Sequence, residues 1–214
     1  MQEEILEKMK QAVLAFDPKA AADLARTAIA EGVDPLAIMD KLTEAVKIVG
    51  DAFGRGVMFL PELVGAADAL QAAMPTVEEA IKNRGQKRRT LGKVVIGTVA
   101  GDIHTIGKSM VASLLTADGF EVHDLGIDVP ADKFVESVKE YDARFLGLSA
   151  LLTTTAPQCR VVIEKLKETG LRDRVKVMVG GGAITAEFAR VMGADGYRPT
   201  APGAVELVRS WISG

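Results

Sequence analysis

From Lys93 onward the chain alternates short apolar runs with stretches of helical periodicity, and this alternation limits its architecture more than any other feature. The runs are KVVIGTV (93–99), FEVHDLG (120–126), RFLGLSA (144–150), VKVMVGG (175–181) and a shorter ADGYR (194–198). Helices are predicted at 107–118, 131–141, 156–169, 185–192 and 202–213. Continuously apolar strands that alternate with helices must be covered on both faces, which is the condition of a parallel sheet.

Five strands at this spacing predict a flavodoxin-like, Rossmann-type sheet in the order 2-1-3-4-5. Ligands of such sheets bind outside the carboxyl ends of the strands. The loops after the first, third and fourth strands reach that edge, and they read GDIHTIGK, SALLTTTAP and GGGAIT.

Residues 1–83 follow a different rule and predict helices only. EEILEKMKQAVLAF sets Ile5, Met9, Val13 and Phe16 on one helical face. Asp17-Pro18 and Asp34-Pro35 are N-cap and N1 pairs, opening helices at about 18–31 and 35–53. A fourth helix runs from near Leu60 to Lys82, and the short joints predict a compact four-helix bundle. The polar, basic stretch KNRGQKRRTLGK (82–93) reads as a linker, giving a helical domain 1–88 and an α/β domain 89–214.

Composition narrows the function classes. A net charge of −3 offers no general attraction to nucleic acid or an anionic membrane. The acidic start MQEEILEKMK is unlike a signal peptide, and no apolar run is long enough to span a bilayer. Cys159 is the one cysteine, so no intrachain disulfide forms. These features predict a soluble, cytoplasmic protein.

Taken singly, each loop has an ordinary explanation. A histidine in a turn is more often a hydrogen-bonded surface residue than a metal ligand. Serine and threonine after a strand usually cap helices, and GGG permits a tight turn. Nucleotide binding fits poorly: G-x-G-x-x-G is absent, and Gly107-Lys108-Ser109 lacks the upstream glycine of a P-loop. A receiver domain would need an acidic pair after the first strand and an aspartate after the third, and neither is present. His123, the other histidine, reads as a strand residue with a satisfied hydrogen bond.

Together the loops form a pattern. Asp102-x-His104-x-x-Gly107 is followed after 41 residues by Ser149-x-Leu151, and after 28 more by Gly180-Gly181. This resembles the cobalamin-binding signature of methionine synthase and of the corrinoid proteins of methyltransferase systems. DAFGRGVMFLPELV (51–64) resembles the four-helix cap of the same family.

The resemblance implies that His104 is the lower axial ligand of cobalt, replacing the cofactor's own base. Asp102 would hold its other ring nitrogen, with Thr155 completing the relay. Gly107, Gly180 and Gly181 would admit the displaced nucleotide tail, Ser149 would bond its base and Leu151 pack on it. Thr153, Gly101, Ile103, Thr105, Ile106 and Gly182 would also touch the corrinoid, while Phe53, Leu60 and Leu63 would screen its upper face. Thr105 stands where relatives often have Asp, Gly182 where Ala is usual, Ala183 where Pro is frequent, and Met39 where methionine synthase has Glu.

By the same resemblance the chain is a methyl carrier without a complete active site of its own. A substrate:corrinoid methyltransferase would methylate Co(I), and a second methyltransferase would pass the group from methyl-Co(III) to tetrahydrofolate or coenzyme M. A reductive activator is a further expected partner. The methyl donor (methanol, a methylamine, a betaine or a methoxylated aromatic) and the oligomeric state stay open. The alternative is a cobalamin-dependent sensor, which would need an output domain and an aromatic residue over the upper ligand.

Overall fold

In a computed structural model, which describes residues 2–86 and 90–213, the chain divides into two compact units, the first running to Thr90 and including Thr116–Gly119, the second made of the remainder from Leu91 onward. The sequence-based boundary at 88/89 falls in residues 87–89, as does the centre of the basic linker, and both lie outside the described residues.

The first unit comprises α1 (Gln2–Leu14), α2 (Pro18–Ala30), α3 (Pro35–Gly54) and α4 (Leu60–Asn83). Asp17 accepts a hydrogen bond from the Ala20 N–H and Asp34 from that of Leu36, so both Asp-Pro pairs cap their helices. α4 packs on α2 and α3, and α1 packs on the same two. Met9, Val13, Ile38, Leu42 and Leu63 are fully buried between them.

Phe16 departs from the expectation. α1 ends at Leu14, and Phe16 adopts a left-handed backbone with φ 59°. Its N–H reaches the Val13 carbonyl, and the next N–H, of Asp17, reaches that of Ala12. This helix-ending motif ties off the last carbonyls before α2 begins. Gly65 of α4 makes room for it, because a Cβ there would stand 2.9 Å from the Cβ of Phe16.

The second unit alternates β1 (Lys93–Thr98), α5 (Ile106–Ala117), β2 (Glu121–Asp124), α6 (Ala131–Glu140), β3 (Phe145–Ser149), α7 (Pro157–Glu168), β4 (Lys176–Gly180), α8 (Ala186–Met192), β5 (Gly196–Tyr197) and α9 (Ala201–Ser213). A 3-10 turn at Arg172–Arg174, not anticipated, precedes β4. All strand pairs are parallel, in the order β2-β1-β3-β4-β5. The sheet is therefore the five-stranded, doubly wound α/β fold that the alternation implied. β2 and β5 are shorter than the apolar runs that contain them.

Each face has its own core. Val95, Leu146, Leu148, Val177 and Val179 point to one side with Phe134, Val162, Ile163 and Leu166 of α6 and α7. Val94, Ile96, Phe145 and Met178 point to the other, with Leu115 of α5 and Leu207 and Val208 of α9. Burying apolar side chains contributes roughly 25 cal/mol per Å² removed from water. That contribution holds the strand ends, and the loops on them, in fixed register.

Candidate cofactor site

The loop between β1 and α5 is pinned from several sides. Thr98, fully buried, donates its hydroxyl to the His104 carbonyl at 2.9 Å. Gly101 has φ +79°, a conformation glycine adopts without strain, and its N–H meets an Asp128 carboxylate oxygen at 2.6 Å. The Asp128 N–H in turn donates to the Asp102 carbonyl at 3.0 Å.

Asp102 is fully buried, and its carboxylate collects donors on both oxygens. Oδ1 accepts from the His104 N–H at 3.0 Å and lies 2.8 Å from His104 Nδ1. Oδ2 accepts from the Thr155 hydroxyl at 2.6 Å and from the Leu151 N–H at 2.8 Å. Burial alone would push this carboxyl's pKa up. The bonds from Thr155, from the His104 N–H and ring, and from Leu151 outweigh it and hold the group well below the usual carboxylate range. An ionised acceptor at Nδ1 fixes the proton there, which leaves the Nε2 lone pair free on a side chain that is 45% exposed. This is a metal-ready imidazole.

Beside it, at the carboxyl ends of β1, β3 and β4, lies a cavity of about 560 Å³. Ile96, Gly147 and Met178, which share one cross-strand row, help to line it, and Ser149 and Gly180 from the next row stand nearer the strand ends. A Cβ on Gly107 or on Gly180 would meet nothing within 4 Å, so no neighbouring atom requires glycine at either place. Gly181 is different: φ is +117°, and a Cβ would fall 2.0 Å from the Ala150 carbonyl oxygen. A Cβ on Gly182 would come 2.9 Å from Leu151 Cδ1.

Ile103 and Ile106 are each 69% exposed, and Ile127, Leu151 and Leu152 expose about two-fifths of their surface. Apolar side chains gathered at one edge this way mark a surface made to be covered. Among the described residues no group of three or more His, Cys, Asp or Glu side chains could hold a metal ion. One imidazole with an open ring nitrogen and an open, glycine-lined cavity thus share the same sheet edge.

Residues 92–209 match the B12 binding domain family, and residues 5–78 match a second family of the same description. The chain belongs to the B12-binding proteins. Its cofactor is cobalamin or a related corrinoid. It is 44% identical over 209 residues to trimethylamine corrinoid protein 1 of Methanosarcina acetivorans, covering 97% of each chain. To dimethylamine corrinoid protein 1 of the same organism it is 46% identical over 213 residues, covering 99% of each. The methanol:cobalamin methyltransferase complex MtaBC of Methanosarcina barkeri contains a similar structure. The TM-score is 0.82 at 30% identity, over 99% of this chain and 81% of that one.

For a B12-binding protein the residues named from sequence fall into three groups. Asp102, His104 and Thr155 form one hydrogen-bonded chain, and the Leu151 N–H joins it to the cavity that Gly107, Ser149 and Gly180–Gly182 line. Thr153 is exposed and is not part of that lining, and Thr105 is paired with Ser109 at 3.1 Å between hydroxyls. In the helical unit Phe53 and Leu60 are half-buried, while Leu63 is fully enclosed and Met39 is buried among the helices.

His123 stacks on Tyr141 at 3.6 Å, and its Nε2 lies 2.8 Å from a Glu121 carboxylate oxygen, as the ordinary reading required. Three features were missed. They are the Asp128 brace, the ion pair of buried Lys108 with Asp124, and the wall formed by Tyr197–Pro202. The last was discoverable, since the loop after the fifth strand also reaches the carboxyl edge. No helix of the described residues is long and apolar enough to cross a membrane.

Proposed function

We propose that this protein carries a methyl group on a corrinoid between two methyltransferases, with residues 1–88 as the cap and 89–214 as the corrinoid-binding domain. When bound, the corrinoid supplies a redox-active cobalt centre that can accept and release a methyl group. The chain's own residues hold, tune and shield it.

His104 would offer Nε2 to the metal, with its ring orientation and tautomer set by Asp102. The Asp102 carboxylate would keep its contact with Nδ1 while the Thr155 hydroxyl donates to Oδ2. Gly107 and Gly180 would leave space for the nucleotide tail, with the Gly181 and Gly182 backbone beside it and Ser149 and Leu151 against its base. Gly101, Ile103, Thr105, Ile106 and Thr153 border the macrocycle. Phe53 and Leu60 would screen the upper face, with Leu63 packed behind them. Val57 and Phe59, 67% and 68% exposed in the same stretch, extend that apolar screen.

The observation that carries this reading is the satisfied His104–Asp102–Thr155 chain next to a cavity with glycines facing open space. The methyl donor is a methylamine. Identities of 44% and 46% to the trimethylamine and dimethylamine corrinoid proteins support this choice. The first partner is therefore a methylamine:corrinoid methyltransferase. The second passes the methyl group to coenzyme M or tetrahydrofolate, and a reductive activator restores the reduced cofactor.

The test is reconstitution with hydroxocobalamin and reductant, followed by methylation with trimethylamine or dimethylamine and the partner enzyme. The wild-type chain should show a histidine-ligated spectrum that His104→Ala lacks. A methylated spectrum unchanged by that substitution would refute the role of His104. Methylation from methanol but from neither amine would refute the donor.

A further inference from the structure

Two cationic side chains stand on the cavity wall, and their charges are differently engaged. Lys108 is 4% exposed, and its ammonium is paired with the Asp124 carboxylate at the end of β2. Arg198, between β5 and α9, is exposed and donates to the carbonyl of its neighbour Tyr197 at 2.8 Å. Among the described residues no carboxylate pairs with it. The cavity therefore has one neutralised cation within its wall and one uncompensated cation exposed to solvent.

The placement of Arg198 is built into the first turn of α9. A Cβ on Gly203 would lie 3.3 Å from Arg198 Cβ and 3.0 Å from Thr200 Oγ1. Glycine weakens a helix relative to alanine. Here it leaves the space that the Arg198 stem uses.

We propose that Arg198 binds the phosphodiester of the corrinoid's nucleotide tail. This rests on the function proposed above. The phosphodiester is the tail's one fixed negative charge, and the ribose, base and amide linker around it are neutral. A phosphate that leaves bulk water for a cavity needs a charged donor, and the planar guanidinium fork matches two of its oxygens. Lys108 is unsuited to the task, because Asp124 already cancels its charge.

The experiment titrates the full chain with cobalamin and, separately, with cobinamide, which lacks the phosphodiester, ribose and base. Binding is followed by the corrinoid absorption spectrum. Arg198→Ala should weaken cobalamin binding about five- to tenfold and leave cobinamide binding unchanged. Arg198→Lys should retain most of the cobalamin affinity at low salt. An unaltered cobalamin affinity in Arg198→Ala would overturn the inference, as would an equal loss for both ligands. If the wild-type chain took up neither corrinoid, the proposed function would fall and this inference with it.

Discussion

Both oxygens of the Asp102 carboxylate have partners, whereas in the adjoining cavity two glycines face nothing. The carboxylate is wholly buried and takes bonds from the His104 N–H and ring, the Thr155 hydroxyl and the Leu151 N–H. Gly107 and Gly180, a few residues along the same strand ends, have no atom within 4 Å of where a side chain would begin. The first region leaves only His104 Nε2 open, and the second is shaped for a ligand. Stability and binding should therefore separate on substitution: changes in the relay destabilise the apoprotein, and changes at Gly107 and Gly180 spare the fold and spoil uptake.

The largest effect is expected from Asp102→Ala. It strips five donors of their acceptor in a buried site, and breaking a buried charged network costs about 3–5 kcal/mol. Urea unfolding of the apoprotein measures it. A loss below about 1 kcal/mol would show that water replaces the carboxylate and that the region is not closed. The pH dependence follows from the same group. Its folded pKa is below its unfolded value, so its contribution is complete above about pH 4 and fades as the pH falls further. The wild-type stability curve should decline on that acid side more steeply than the curve of Asp102→Ala.

Gly181→Ala comes next, at roughly 2–3 kcal/mol, because a side chain there is opposed by both the positive φ and the Ala150 carbonyl. Thr155→Val removes one charged hydrogen bond from an otherwise intact site and should cost about 1.5–3 kcal/mol. Its spectrum after reconstitution should still show a ligated histidine, since the Asp102–His104 contact remains. Cys159 supplies a control: burial pushes its thiol up to about 12, with the Asp102 charge adding to the shift. The folded protein should resist alkylation at pH 8 and react once unfolded.

These contrasts mark what the sequence could convey. Local rules sufficed where one residue type has one physical use. Asp-Pro opened α2 and α3 as read, and apolar strand runs fixed a sheet covered on both faces. The spacing of Asp102, His104, Ser149 and the paired glycines was legible as a pattern. The two kinds of glycine within that pattern were not. Gly180 and Gly181 are adjacent, yet one faces a cavity and the other passes under a carbonyl from β3's end, which only tertiary packing decides. Phe16 was misread because its helix ends through backbone bonds that helical periodicity does not register. Asp128 and Arg198 were passed over because each acts through a contact distant in sequence or through the absence of one.

The smallest stability effects should come from Gly107→Ala and Gly180→Ala, and they test the comparison most closely. Gly107 sits in the first turn of α5, where alanine is the better helix former, so its replacement should leave stability unchanged or raise it by up to about 1 kcal/mol. Gly180, at the end of β4, lacks a positive φ and should also accept a Cβ at a cost within about 0.5 kcal/mol. Both substitutions place a methyl group in the cavity, so cobalamin affinity should fall while cobinamide affinity holds. Thermal unfolding of the apoprotein and parallel titrations with the two corrinoids separate these quantities. Should either variant lose stability like Gly181→Ala, glycine would be there for the fold. Should both bind cobalamin as the wild type does, the tail would have to lie elsewhere.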